Sequence, residues 1–222
     1  MIVLTPGEPA GVGLDLVVQL ARNKRNSPIL VLCDPEVLQE RAELLGLSLI
    51  VDANCESPSS EPQRITVLSV PVKNQVKPGV LDVANAKSVV DALDIAIEGC
   101  LGGKYKALVT GPVQKSVIQE AGFEFSGHTE YLADKSGVEN VVMMLQGGGM
   151  RSFQNKTKYS WDIVESHRKW GHTPWGTPWD TPWEVCARQC ATQNQVSKCR
   201  KTVEIGLRAH LIPLSHISLS FK

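Results

Sequence analysis

The chain has 222 residues, 42% hydrophobic and 21% charged, a globular balance that excludes collagen-like, wholly disordered and disulfide-scaffold classes. Its 23 basic and 23 acidic side chains cancel, yet residues 1–150 hold 12 and 18 of them and residues 151–222 hold 11 and 5, so the two parts carry −6 and +6. No apolar run reaches the ~18 residues of a membrane span, and Met1-Ile2-Val3-Leu4-Thr5-Pro6 lacks the regions of a signal peptide; a cytoplasmic chain with no membrane partner and with its six cysteines as free thiols is expected.

Ile2–Thr5 is a short apolar run ending in a Pro/Gly loop, and Leu14–Arg22 carries apolar residues at 14, 17, 18 and 21, the spacing of a helix face. Ile29–Cys33 predicts a second strand. Asp34-Pro35, a capping residue with proline at the first helical position, predicts a helix to about Leu45, closed by Gly46. Leu47–Val51 and Ile65–Val70 read as strands around a polar loop, Asp52–Gln63. A long helix is expected over about Val83–Leu101, then a strand at Ala107–Thr110, a short helix at Lys115–Ala121 and a last strand at Val141–Leu145. Apolar runs of four to six residues without polar alternation suit strands covered on both faces. They predict an α/β fold, a mostly parallel sheet flanked by helices. An α+β domain of similar content is the alternative.

Three loops carry candidate chemistry. Thr5-Pro-Gly-Glu-Pro-Ala-Gly-Val-Gly13 lies between the first strand and the first helix, where backbone N–H groups can receive an anion. Asp34 stands where a ribose-binding acid would sit in a dinucleotide fold, but Leu16 occupies the position where that fingerprint needs glycine or alanine. A proline-braced turn without ligand is the competing reading. Val109-Thr-Gly-Pro-Val-Gln-Lys115 follows a strand, at the end of the sheet where open α/β folds bind ligands, and Lys115 could meet a phosphate or carboxylate there or stay a solvated charge. Phe125-Ser-Gly-His-Thr-Glu130 enters a helix with His128 able to titrate near neutral pH and Thr129 offering a hydroxyl and a helix-start N–H. Three such loops could converge on one end of the sheet.

Taken with Val141-Val-Met-Met-Leu145, these loops resemble the N-terminal part of the 4-hydroxythreonine-4-phosphate dehydrogenase family over about residues 1–145, with Leu14 where the family usually has proline. The resemblance implies the N-terminal part of the isocitrate/isopropylmalate dehydrogenase-like fold, a homodimer, and an oxidoreductase of pyridoxal 5′-phosphate (vitamin B6) biosynthesis. It implies NAD or NADP and a divalent metal (zinc, magnesium or cobalt) as cofactors. The alcohol of 4-phosphohydroxy-L-threonine would be oxidised and the β-keto acid decarboxylated, a metal acidifying the alcohol and polarising the new carbonyl. Other phosphorylated hydroxy acids are alternative substrates. By the family's pattern His128 and Thr129 contact this small phosphorylated substrate, and a metal histidine follows the Val-Val-Met-Met-Leu strand.

The remainder departs from that pattern. The Leu-Arg expected soon after Leu145 arrives at Leu207-Arg208, and His210, one residue further than expected before Pro213, is the candidate metal ligand, with His216 second. The intervening stretch holds all five tryptophans and the tandem Thr173-Pro-Trp-Gly, Thr177-Pro-Trp-Asp and Thr181-Pro-Trp-Glu, whose prolines forbid a helix. His167, His172, Cys186, Cys190 and Cys199 match no standard zinc spacing, and no folded nucleic-acid motif accompanies the basic surplus, so no nucleic-acid partner is expected. The division expected is an α/β domain at 1–145, an irregular or disordered Trp/Pro-rich insertion at 146–205, and a fragment of the family's next motif at 206–222. On that division the chain is incomplete for catalysis. An inactive remnant, or a binding module pairing with an intact copy, is the alternative to the enzyme.

Overall fold

The computed structural model describes residues 1–138, 140–147, 150–157, 160–164, 202–208 and 216–220. In chain order these form β1 (Ile2–Thr5), α1 (Gly13–Ala21), β2 (Ile29–Cys33), α2 (Pro35–Leu44), β3 (Ile50–Asp52), β4 (Arg64–Ser69), a 3-10 turn (Val83–Asn85), α3 (Ala86–Leu101), β5 (Ala107–Thr110), α4 (Lys115–Glu120), α5 (His128–Ser136), β6 (Asn140–Gly147), β7 (Met150–Thr157), β8 (Ser160–Val164), β9 (Thr202–Arg208) and β10 (His216–Ser220).

The strands make one sheet in the order β3-β4-β2-β1-β5-β10-β9-β6-β7-β8. The five from β3 to β5 are all parallel, as expected of apolar runs buried on both faces. Beyond β5 the pairing is mixed: β10 lies antiparallel to β5 and β9, β9 parallel to β6, and β7 antiparallel to β6 and β8. Within 146–205, residues 146–147, 150–157, 160–164 and 202–205 are therefore strand, where the sequence suggested irregular chain. Backbone hydrogen bonding overrides weak local preference there. The three Thr-Pro-Trp repeats and the histidines and cysteines between 167 and 199 lie outside the described residues.

Each face of the parallel strands is covered by helices. Alternate residues divide between two cores: Val31, Ile65 and Val67 pack with Leu14, Val17 and Val18 of α1 and Leu38 of α2. On the other face Val3, Leu30 and Leu108 pack with α3, α4, α5 and Val141. The period of two along a strand makes this possible, because neighbouring side chains leave by opposite faces. Among the described residues no helix is long and apolar enough to cross a membrane, and Cys33, Cys55 and Cys100 are free thiols.

After β1 the chain runs to β2 on one side, while β5 takes the place on β1's other side. A reversal of this kind opens a crevice at the carboxyl ends of the two flanking strands. The loops after β1 and β5 leave the sheet at this point.

Candidate functional site

The loop after β1 is braced rather than open. Gly7 adopts φ +86, and its missing side chain lets the loop after β5 approach until a Cβ at position 7 would lie 2.1 Å from the Pro112 carbonyl oxygen. The Glu8 N–H donates to that oxygen (3.0 Å), and the Gly111 N–H donates to the Thr5 carbonyl (2.6 Å). A Cβ at Gly111 would in turn lie 2.0 Å from the Pro6 oxygen. The two loops are clasped backbone to backbone.

That clasp decides between the readings of the glycine-rich loop. Its N–H groups at Glu8, Ala10 and Gly11 donate to the Pro112 carbonyl, the Glu8 carboxylate and the Glu8 carbonyl. They are turned inward, so they do not form a phosphate cradle. Asp34, the candidate ribose acid, accepts from the N–H groups of Glu36 (2.9 Å), Val37 (3.4 Å) and Val72 (3.0 Å). It caps α2 and ties down the strand-end loop beyond β4. The cavity beneath, lined by Thr5, Pro6, Leu32, Asp34 and Ser88 among others, measures about 30 Å³, room for roughly one or two waters. These residues do not fit a dinucleotide.

Two side chains of this loop system carry no plain signal in the sequence. Arg41 of α2, 5% exposed, donates to the carbonyls of Gly11 (3.0 Å) and Pro9 (3.1 Å) and to the Asp15 carboxylate (3.0 Å). It pins the loop to α1 and α2. Glu8, 7% exposed, has its carboxyl raised above the usual range by burial, opposed by the Ala10 N–H and reinforced by the charge of Asp82. An arginine in a polar helix and a glutamate in a loop read as surface residues, and three-dimensional packing alone buries them.

The third loop is anchored by Phe125, 2% exposed, whose carbonyl accepts from the Gln119 side chain (3.0 Å). The Phe125 ring meets the His128 ring edge to face at 5.6 Å and the Tyr131 ring at 5.2 Å. Tyr131 donates to Asp94 of α3 (2.5 Å), and Lys135 donates to the same carboxylate (2.8 Å). These contacts fix the start of α5 on α3. His128 opens the helix, followed by Thr129. Its Nε2 is buried without a hydrogen-bond partner. Burial first, and then the nearby Lys115 charge, pull the imidazole down to about 4, so it is neutral near pH 7.

Lys115, the first residue of α4, reaches this helix start: a Cβ at Gly127 would lie 3.2 Å from its Nζ and 2.9 Å from the Glu130 Oε2. The structure thus links all three sequence-predicted loops, the first to the second through Gly7 and Pro112 and the second to the third through Lys115 and Gly127. His128 and Thr129 stand at the end of that series. His210 lies outside the described residues, and His216 begins β10. Among the described residues no group of three His, Cys, Asp or Glu side chains converges as a metal site.

The chain is similar to known proteins over this same region. The 4-hydroxythreonine-4-phosphate dehydrogenase of Saccharophagus degradans is 50% identical over 153 residues, 68% of this chain and 46% of the relative. That of Pseudomonas aeruginosa is 46% identical over 154 residues, 67% of this chain and 46% of the relative. The chain therefore spans less than half the length of the curated relatives it matches. A crystal structure of a 4-hydroxythreonine-4-phosphate dehydrogenase from Burkholderia phymatum superposes with a TM-score of 0.62 at 26% identity, covering 68% of this chain and 48% of that one. The family model described as "Pyridoxal phosphate biosynthetic protein PdxA" matches residues 24–163, past residue 145 where the motif resemblance stops. With that match covering more than half of the chain, and with the motif loops clasped at the carboxyl ends of β1 and β5, the chain belongs to the PdxA family.

Proposed function

We propose that residues 1–145 form a domain that binds 4-phosphohydroxy-L-threonine or a related phosphorylated hydroxy acid, as the substrate-holding part of an NAD(P)- and metal-dependent dehydrogenase of pyridoxal 5′-phosphate synthesis. The observation that carries this is His128, held neutral with a buried, unpartnered Nε2 in the first turn of α5, beside the clasped loops. A neutral imidazole in that position can donate to or accept from a substrate oxygen without the cost of burying a charge. Thr129 adds a hydroxyl next to it. Membership of the family and the relatives' names support the substrate class.

The working form under this proposal is a cytoplasmic homodimer. NAD or NADP would accept the hydride and a divalent metal would polarise the reacting oxygens when bound. The described residues fit neither group, since the loop after β1 directs its N–H groups inward and no three ligands converge. The part of the reaction assigned to them is binding and orientation. His210, outside the described residues, is kept as the proposed metal ligand.

The test is a titration of the chain with 4-phosphohydroxy-L-threonine, followed through the His128 imidazole signals by NMR, with NADH formation measured in the presence of NAD and Mg²⁺ or Zn²⁺. Saturable shifts that vanish in Thr129→Val are expected, with NADH formation lost in His128→Gln. Absence of both shifts and NADH would overturn the proposal.

A further inference from the structure

We propose that the cavity at the carboxyl ends of β1 and β2 is a hydration site, in which one long-lived water is held by the Thr5 hydroxyl, the Asp34 carboxylate and the Ser88 hydroxyl. The site stands apart from the start of α5 and depends on no substrate.

Three observations carry it. The first is volume: the cavity measures about 30 Å³, more than the ~10–15 Å³ that a water needs and far less than the ~300 Å³ of a metabolite pocket. The second is the wall. Among its lining residues the side chains that bear oxygen are Thr5, Asp34 and Ser88, and each comes from a different element: the end of β1, the residue after β2, and the first turn of α3. Alternation along β1 puts Thr5 on the face of Val3, the face that α3 covers. The rest of the wall is mostly apolar, Leu32, Val70 and Ala92 among it.

The third is the count of protons and lone pairs. Thr5 is 2% exposed, and its Oγ1 is buried with no hydrogen-bond partner. The Ser88 hydroxyl donates to the Asn85 carbonyl (2.8 Å), so its lone pairs are left to accept. Asp34 accepts from the N–H groups of Glu36, Val37 and Val72, and a carboxylate has about four lone-pair sites. A water in the cavity accepts the Thr5 proton and gives its own two protons to Asp34 and Ser88. About three bonds is the ordinary number for a buried water. A divalent cation, which takes about six or more oxygens, finds too few.

Thr110 provides a matched control. It pairs with Thr5 in register on β5, is 4% exposed, and has a hydroxyl that is likewise buried without a partner, yet it does not line the cavity. Replacing a dry, unpartnered hydroxyl by a methyl of the same shape is neutral or stabilising, whereas removing one that holds a water leaves that water and its other partners short of a bond. The two threonines should therefore respond with opposite sense.

The experiment uses the full chain. Oxygen-17 relaxation dispersion of the solvent counts long-lived water oxygens and is blind to exchange of hydroxyl protons. Thr5→Val should lower that count by about one, Thr5→Ser, which keeps the hydroxyl, should restore it, and Thr110→Val should leave it unchanged. In urea unfolding, Thr5→Val should raise the unfolding constant about tenfold, and Thr110→Val should leave it within about threefold or lower it. Circular dichroism on each variant checks the fold. A crystal structure of the wild type decides the matter without any variant: an oxygen within hydrogen-bond distance of Thr5, Asp34 and Ser88 is expected. A dry cavity or a cation there, an unchanged oxygen-17 dispersion in Thr5→Val, a Thr5→Val protein as stable as the wild type, or equal losses of stability from the two valine variants would each overturn the proposal.

Discussion

The Pro112 carbonyl oxygen occupies the space that a β-carbon at residue 7 would need, 2.1 Å from its ideal position, and the Glu8 N–H bonds that same oxygen at 3.0 Å. Residue 7 must therefore be both free of a side chain and able to hold φ +86. Gly7→Ala adds backbone strain to a collision with rigid main chain, and we expect a loss of at least ~3 kcal/mol in urea unfolding. A loss below about 1 kcal/mol would show that the clasp yields.

Arg41 holds the buried Pro9 carbonyl and the half-buried Gly11 carbonyl as well as Asp15. Arg41→Met leaves those oxygens without donors, at an expected cost of about 2–4 kcal/mol. Asp15 is 31% exposed at its side chain, and Asp15→Asn should cost less than about 1 kcal/mol, as partly solvated pairs do. Equal losses from the two variants would place the energy in the ion pair instead of the carbonyls.

His128 gives the stability a pH dependence of definite sign. Its folded value, about 4, lies below the unfolded 6.5, so the unfolded chain takes up a proton that the native state refuses. The contribution is complete above about pH 6.5, declines as pH falls, and is gone below about pH 4. Its ceiling is about 3 kcal/mol, before discounting for partial exposure. The urea midpoint of the wild type should fall across that window more steeply than that of His128→Gln. Parallel curves would mean that another group titrates.

Glu8 works in the opposite sense, because burial raises its carboxyl. A raised folded value means stability present at low pH and lost as pH rises through that value. Glu8→Gln keeps an oxygen for the Ala10 N–H and removes the buried charge, so its melting temperature at pH 7 should exceed that of the wild type. The difference should vanish in acid. A lower melting temperature at pH 7 would show that the carboxylate has a partner worth more than its desolvation.

Elements with local chemistry were legible in the sequence. Asp34-Pro35 set the start of α2 because cap and proline act within one turn, and Ala107–Thr110 stood out as an apolar run ending at Gly-Pro. The third strand shows where such cues stop. Leu47–Val51 was expected, and the strand is Ile50–Asp52, because the Leu47 N–H bonds the Ala42 carbonyl in closing α2 and Leu49 is buried in the core as loop. At the site, His128 and Thr129 were legible as a motif. The inward use of the glycine loop was not, since Gly7 and Pro112 are partners across the sheet and no local pattern records the distance between them. The place of β10 beside β5, and of β9 between β10 and β6, was hidden for the same reason.

The position of β1 between β2 and β5 also bears on the order in which the site comes into being. Ile2 pairs with Ile29 on one side and with Ala107 on the other, separations of 27 and 105 residues. Closing the longer loop costs only about 1 kcal/mol more, but on a ribosome it must wait until β5 has emerged. Until then β1 has one free flank, Gly7 has nothing to press against, and the N–H of Glu8 faces water. The end of β1 acquires its fixed shape late, so synthesis stalled before residue 112 should leave this region open to pulse-labelling while β2 and β4 are already protected.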